Sequence, residues 1–282
     1  MPPSAADPLL ISTAQLAARL EDPKLVLFHI GEKAGYGAAH IPGARYVDPR
    51  ADLHASEGGL TLQMLPPPQL RERLMALGVS DDSTIVVYQA GGWFSPATRV
   101  VLTLQYAGLR AVSLLDGGLD AWVRENRPVT ADLPAPRRGS LAALDVQDVV
   151  VDADGVQARL GKPGYAVVDA RTPAFYEGTQ TGGNAARPHQ TGHIAGAVSL
   201  PFTTLTTEDG LLKAPSELRS LFADAGVRPG DTVVAYCHIG QQATAVLFAA
   251  RLLGHKAVLY DGSFEDWSRR GLPVEAGAGK KK

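Results

Sequence analysis

The chain has 282 residues, 45% of them hydrophobic and 20% charged, with a formal net charge of -2 at pH 7. This is an ordinary globular composition at about twice the usual domain length, with no basic excess to attract nucleic acid. One cysteine excludes an internal disulfide, and the seven histidines show no metal-ligand spacing.

The opening MPPSAADPLL has neither the positive start nor the long apolar stretch of a signal peptide, and no run approaches the roughly 18 apolar residues of a membrane span. A reducing, cytoplasmic setting is expected. Leu16 to Leu20 then precede an apolar run, LVLFHI (25–30), and AHIPGA follows at 39–44. TIVVYQ (84–89) leads into the loop Ala90 to Pro96. Asp116-Gly117-Gly118, Trp122 and Arg127-Pro128-Val129 close the segment, and TADLPAPRRGS (130–140) reads as a Pro-rich linker.

Beyond that linker the same landmarks return in the same order. Val156 to Leu160 precede YAVVDAR (165–171), GHIAGA occupies 192–197, and TVVAYC spans 232–237. Asp261-Gly262-Ser263, Trp267 and Leu272-Pro273-Val274 complete the second copy, which is longer through an insertion in GTQTGGNAARPHQ (178–190). Each copy is large enough to bury its own core, so the period signals duplication and not a solenoid. The expected domains are 1–129 and 145–276, with a linker at 130–144 and a solvated tail at 277–282.

Short β-branched runs such as Val167-Val168, Thr232 to Val234 and Ala257 to Leu259 alternate with helical patterns at 215–225 and 243–253. Such alternation predicts an α/β fold of two tandem homologous domains, each a mainly parallel sheet flanked by helices, with sites beyond the C-terminal strand ends. In the last helix Ser263 and Asp266 have the spacing of a capping box. Trp122 and Trp267 read as core. His40 and His193, repeated in both copies, read as turn-stabilising, with catalytic assistance as the other reading.

The only cysteine, Cys237, falls one residue past the strand 232–236 and before the helix 243–253, whose Val246, Leu247, Ala250 and Leu253 lie on one side. Residues 238–242 must turn the chain there, and Gly240 supplies a positive φ. A tight turn of this kind aims backbone N–H groups inward, and the helix N-terminus adds its positive end; both favour thiolate over thiol. The bland reading of such a cysteine is a small buried hydrophobe. Phosphatase chemistry needs an arginine clamp at position 243, which is Ala243. Gln241 and Gln242 are neutral donors, suited to a smaller or softer group.

Over residues 9–274 these motifs resemble the two-domain rhodanese-type sulfurtransferases: AHIPGA and GHIAGA, Tyr260-Asp261-Gly262-Ser263 leading to Trp267, and the loop opened by Cys237. The resemblance implies that Cys237 is catalytic and that the first copy, with Gln89 at the aligned position, is silent. It implies a Cys237 persulfide, formed from thiosulfate or 3-mercaptopyruvate and collected by cyanide, a thiol or a sulfur-acceptor protein, with no cofactor or metal. Substrate would be held by His238, Ile239, Gly240, Gln241, Gln242 and Ala243. Asp169 and Arg171 would order or bind it, or else form a salt bridge between the domains.

The arginine that the family sets a few residues further on falls at Phe175. Arg187 is then a replacement cation or a solvated loop residue. The Cys-x-Ile-Gly opening is similar to bacterial thiosulfate enzymes, with His238 the one candidate cation beside the thiol, whereas the mercaptopyruvate branch carries a serine where Ile239 stands. Thiosulfate is the favoured donor. A non-enzymatic, partner-binding rhodanese-like module is the alternative from another class.

Overall fold

The structure, a computed structural model, describes residues 8–184 and 187–277. The first seven residues and the tail beyond Gly277 lie outside that description. Two compact units contain the described chain: residues 8–54, 64–147 and 207–212 in the first, and 55–63, 148–206 and 213–277 in the second. Residues 55–63, which fall in the first sequence repeat, thus belong to the second unit. There Thr61 donates its backbone N–H to Glu265 Oε2 at 2.8 Å, and Gln63 Nε2 donates to Asp261 O at 3.2 Å.

Each unit is built on a five-stranded parallel sheet. In the first the strand order is Leu10–Ile11, Val112–Leu115, Thr84–Gln89, Leu25–Ile30, Arg45–Tyr46. In the second it is Val150–Val151, Ala257–Tyr260, Thr232–Tyr236, Tyr165–Asp169, Val198–Ser199, the same topology from the same order of motifs. The central strands are continuous apolar runs because helices cover both faces, which is what a parallel sheet requires. Their register sets two side chains at the C-terminal edge opposite two tyrosines: His29 pairs with Tyr88, and Asp169 with Tyr236.

The two cores repeat as well. Trp122 and Trp267 are fully enclosed, and each indole N–H is satisfied by a carbonyl, Pro128 O at 2.8 Å and Pro273 O at 2.9 Å. Truncating such a residue to alanine costs about 3–5 kcal/mol. His40 Nδ1 lies 2.7 Å from Tyr36 O, His193 Nδ1 lies 2.7 Å from Tyr176 O, and each ring stacks on that same tyrosine. A contact present in both units, only one of which carries the thiol, fixes the turn and does not need the chemistry.

Two local expectations change. The helix Ala243–Leu252 is buried on every side through Ala250, not on one face only. The Pro-rich segment after Thr130 is tied to the first unit: Gly139 donates to Met75 O at 2.8 Å, and Arg71 Nε donates to Leu141 O at 2.9 Å. Proline removes donors from such a stretch, but its carbonyls still find partners.

Candidate active site

Cys237 follows the central strand Thr232–Tyr236 directly and is 1% exposed. Gly240 sits at φ 82° and Gln242 at φ −62°, ψ −34°, so the chain changes hand within the turn before the helix begins. The loop's carbonyls are taken up elsewhere. Cys237 O accepts from Phe264 N and His238 O from Glu265 N, both at 3.0 Å, and Gln241 O accepts from Thr244 N at 3.1 Å and Thr244 Oγ1 at 2.6 Å. Ala243 opens the helix and is fully buried, so its side chain closes the loop against the core.

The thiol residue is anchored from behind by Ser263. Its Oγ accepts from Cys237 N at 3.2 Å and donates to Tyr260 O at 2.9 Å. Ser263 does not cap the last helix, contrary to the capping-box expectation: the N-cap is Gly262, with no side-chain cap bond. Asp266 is engaged instead by Tyr260 Oη at 2.8 Å and by Arg270 Nε at 2.9 Å. Ser263 also holds φ 50°, a left-handed conformation that costs a non-glycine residue on the order of 1–3 kcal/mol. The hydroxyl it delivers to the Cys237 backbone is the evident return for that strain.

Beside the loop lies a buried ion pair. Arg171 Nη2 meets Asp169 Oδ2 at 2.6 Å and donates to Gly192 O at 2.7 Å, while Nε meets Asp169 Oδ1 at 3.0 Å. Its guanidinium carbon lies 4.0 Å from the centre of the Phe264 ring. Burial pulls the Arg171 pKa down, but hydrogen bonding to Asp169 and its charge outweigh that and hold it above the ordinary value. Both partners lie within the second unit, so this is not the bridge between domains that the sequence left open. A guanidinium so committed positions its neighbours and is not a free anion clamp.

His238 does not supply the expected cation. Burial, then the charge of Arg171 and of His189, push its pKa down to about 3, so it is neutral at physiological pH. Phe175 packs edge-on against it with centroids 4.5 Å apart, so an apolar ring stands where the family resemblance expected a charge. Arg187 is half exposed, donates to Gly59 O and lies 3.8 Å from Glu265 Oε1. Ile239, Gln241 and Gln242 are all partly buried, and the Gln242 Oε1 atom is buried without a protein partner among the described residues. Among the described residues no group of three His, Cys, Asp or Glu side chains is placed to hold a metal ion.

Three participants were not read from the sequence as part of this site: Ser263, Phe264 and His189. The signal for Ser263 was present, because the aligned residue of the other copy is Gly118, at φ 55°. A residue that is glycine in the copy without the thiol and serine beside the thiol marks a site difference. His189 lies in the insertion, where no internal counterpart exists for comparison.

A family model described as Rhodanese-like domain matches residues 12–125 and again 152–270. A thiosulfate sulfurtransferase of Azotobacter vinelandii is 33% identical over 276 residues, covering 96% of this chain and 98% of that protein. A probable 3-mercaptopyruvate sulfurtransferase of Pseudomonas aeruginosa is 36% identical, covering 92% and 94%. The sulfur carrier protein TtuD of Thermus thermophilus is 30% identical, covering 95% and 97%. Among solved structures, wild-type EanB has a TM-score of 0.85 at 22% identity over 96% of this chain and 70% of its own. YnjE has the same TM-score at 24% identity, over 95% and 68%. At that identity the likeness speaks for the fold. The repeated domain, the thiol loop of the second unit and the full-length relatives agree: the chain belongs to the rhodanese family.

Proposed function

We propose that the protein is a sulfurtransferase moving a sulfane sulfur from thiosulfate to cyanide or a thiol through a persulfide on Cys237. The observation that carries this reading is the loop itself: a cysteine at a strand end, its backbone N–H anchored by Ser263, followed by a turn through Gly240 into the N-terminus of the helix Ala243–Leu252. Cys237 thiolate attacks the outer sulfur of the donor, the donor S–S bond breaks, and sulfite leaves with the electron pair. The persulfide then rests against the backbone of residues 238–243. Asp169 and Arg171 position this wall by fixing Gly192 and Phe264. Arg187 adds a cation at the surface for an anionic donor.

3-Mercaptopyruvate is the second donor reading, favoured by the 36% identical relative; Ile239, where that branch carries serine, stands against it. A sulfur-accepting protein as the second substrate has its support in the 30% identical sulfur carrier. Mass spectrometry after incubation with thiosulfate or 3-mercaptopyruvate tests the reading. The protein gains one sulfur atom and a Cys237→Ser variant gains none. No gain with either donor sinks the enzyme reading in favour of a binding module, and the ratio of kcat/KM for the two donors assigns the preferred one.

A further inference from the structure

The insertion that sets the second unit apart ends in a buried histidine. His189 is 8% exposed, and Nδ1 has no protein partner among the described residues. It is not a loose loop side chain. His189 N donates to Gly182 O at 3.1 Å, and the next residue is fastened to the last helix, with Gln190 N donating to Ser268 Oγ at 3.0 Å. The imidazole lies against the catalytic loop, its centroid 5.7 Å from that of His238 and 5.9 Å from that of Phe264, whose N–H is bonded to Cys237 O.

The groups acting on this ring are His238 from the loop, Arg171 from the end of the strand Tyr165–Asp169, and Glu265 from the last helix. Glu265 is occupied by Thr61 N and Oγ1, and Arg171 by Asp169. Burial and Arg171 lower the His189 pKa against the opposing effect of Glu265, which favours the neutral ring. A neutral imidazole with an unpaired nitrogen can accept a proton. The other nearby groups serve less well: Phe175 and Phe264 have no such atom, Arg171 is cationic, Glu265 is held, and His238, its pKa pushed down to about 3, is the weaker base of the two imidazoles.

We propose, resting on the sulfurtransferase reading above, that His189 receives the proton of the thiol that discharges the Cys237 persulfide, so that protonated, uncharged thiols are the acceptors this site is suited to. In that step the S–H bond of the acceptor breaks and its proton passes to Nδ1. The persulfide, left as an anion by loading, takes up a proton from solvent as Cys237–S–SH, and the acceptor sulfur so freed bonds to its outer sulfur. The old S–S bond breaks, its electron pair stays on Cys237 Sγ as thiolate, and the acceptor leaves as RSSH. Charge balances as thiolate plus imidazolium, and the imidazolium returns its proton to solvent. No external oxidant or reductant enters.

The test separates the two half-reactions. Protein loaded with thiosulfate is discharged in single turnovers by dithiothreitol or by sulfite at pH 8, where sulfite has no proton to lose. His189→Asn keeps a polar atom near Nδ1 but cannot take a proton. It should load normally, slow discharge by dithiothreitol at least tenfold, and change discharge by sulfite less than threefold. Its dithiothreitol rate should also fall tenfold per pH unit below the thiol pKa, whereas the wild-type rate should fall less steeply. Equal slowing with both acceptors, no slowing, an unchanged pH profile or failure of His189→Asn to load each overturns the proposal. A wild-type protein that does not load overturns the sulfurtransferase reading instead, so the two failures are distinguishable.

Discussion

The two units run the same sheet topology, and the contrast that bears on the thiol lies at a handful of side chains along one strand edge. In the first, His29 Nδ1 lies 2.9 Å from Tyr88 Oη, and the loop begins with Gln89. In the second, the places of His29 and Gln89 are taken by Asp169 and Cys237, and Tyr236 Oη accepts from Ile194 N just as Tyr88 Oη does from Ile41 N. Two residues after His29 stands Gly31, where a side chain would run into Ala90 O; two residues after Asp169 stands Arg171. The tyrosine is thus part of the fold, whereas the carboxylate, guanidinium and thiol are additions to it. What distinguishes the copy with the thiol from the copy without it is a charged pair buried beside that thiol and a serine behind it.

The sharpest way to break that comparison is to move the thiol. A Gln89→Cys change in a Cys237→Ser background should give no sulfur loading by mass, because the first unit lacks the equivalents of Arg171 and Ser263. Loading there would mean that the strand end alone suffices. Next in size is Asp169→Asn, which leaves the Arg171 charge buried without its carboxylate and should cost about 3–5 kcal/mol of unfolding free energy. His29→Asn in the first unit, where no charge is stranded, should cost about 1 kcal/mol by the same denaturant titration.

Acid should weaken the protein through the same histidines. His238 is held at about 3 and His29 at about 4, both first by burial, so below about 6.5 the unfolded chain binds protons that the folded chain refuses. Stability is therefore whole above pH 6.5 and is lost as pH falls toward those lower values. From pH 7 to pH 5 His238 alone should account for roughly 2 kcal/mol, and His238→Asn should flatten the pH dependence of the denaturation midpoint by that much. The smallest change is Ser263→Gly, which gives the second unit the residue of the first. Relief of the φ 50° conformation and loss of the hydroxyl should offset to within about 1 kcal/mol, while sulfur loading slows. Unchanged loading would remove Ser263 from the positioning of Cys237.

Most of the plan was legible in the sequence because duplication supplies its own control. The parallel sheets, the paired tryptophans, the histidine turns and the position of Cys237 all follow from motifs that recur in one order. What escaped was long-range. No local pattern shows that residues 55–63 join the second unit, that Ser263 turns away from its own helix to meet Cys237, or that burial strips His238 of its charge. Capping-box spacing at Ser263 and Asp266 was outweighed by a distant partner for Ser263, Cys237 N, and by the nearer Tyr260 and Arg270 for Asp266.

That Cys237 is the only sulfhydryl in the 282 residues bears on what becomes of a loaded sulfur. A persulfide is ordinarily vulnerable to a neighbouring thiol, which closes a disulfide and expels hydrosulfide. Here no second thiol exists within the chain to do so. A charged molecule is therefore a store with no internal drain, and the lifetime of its cargo is set by the acceptor it meets.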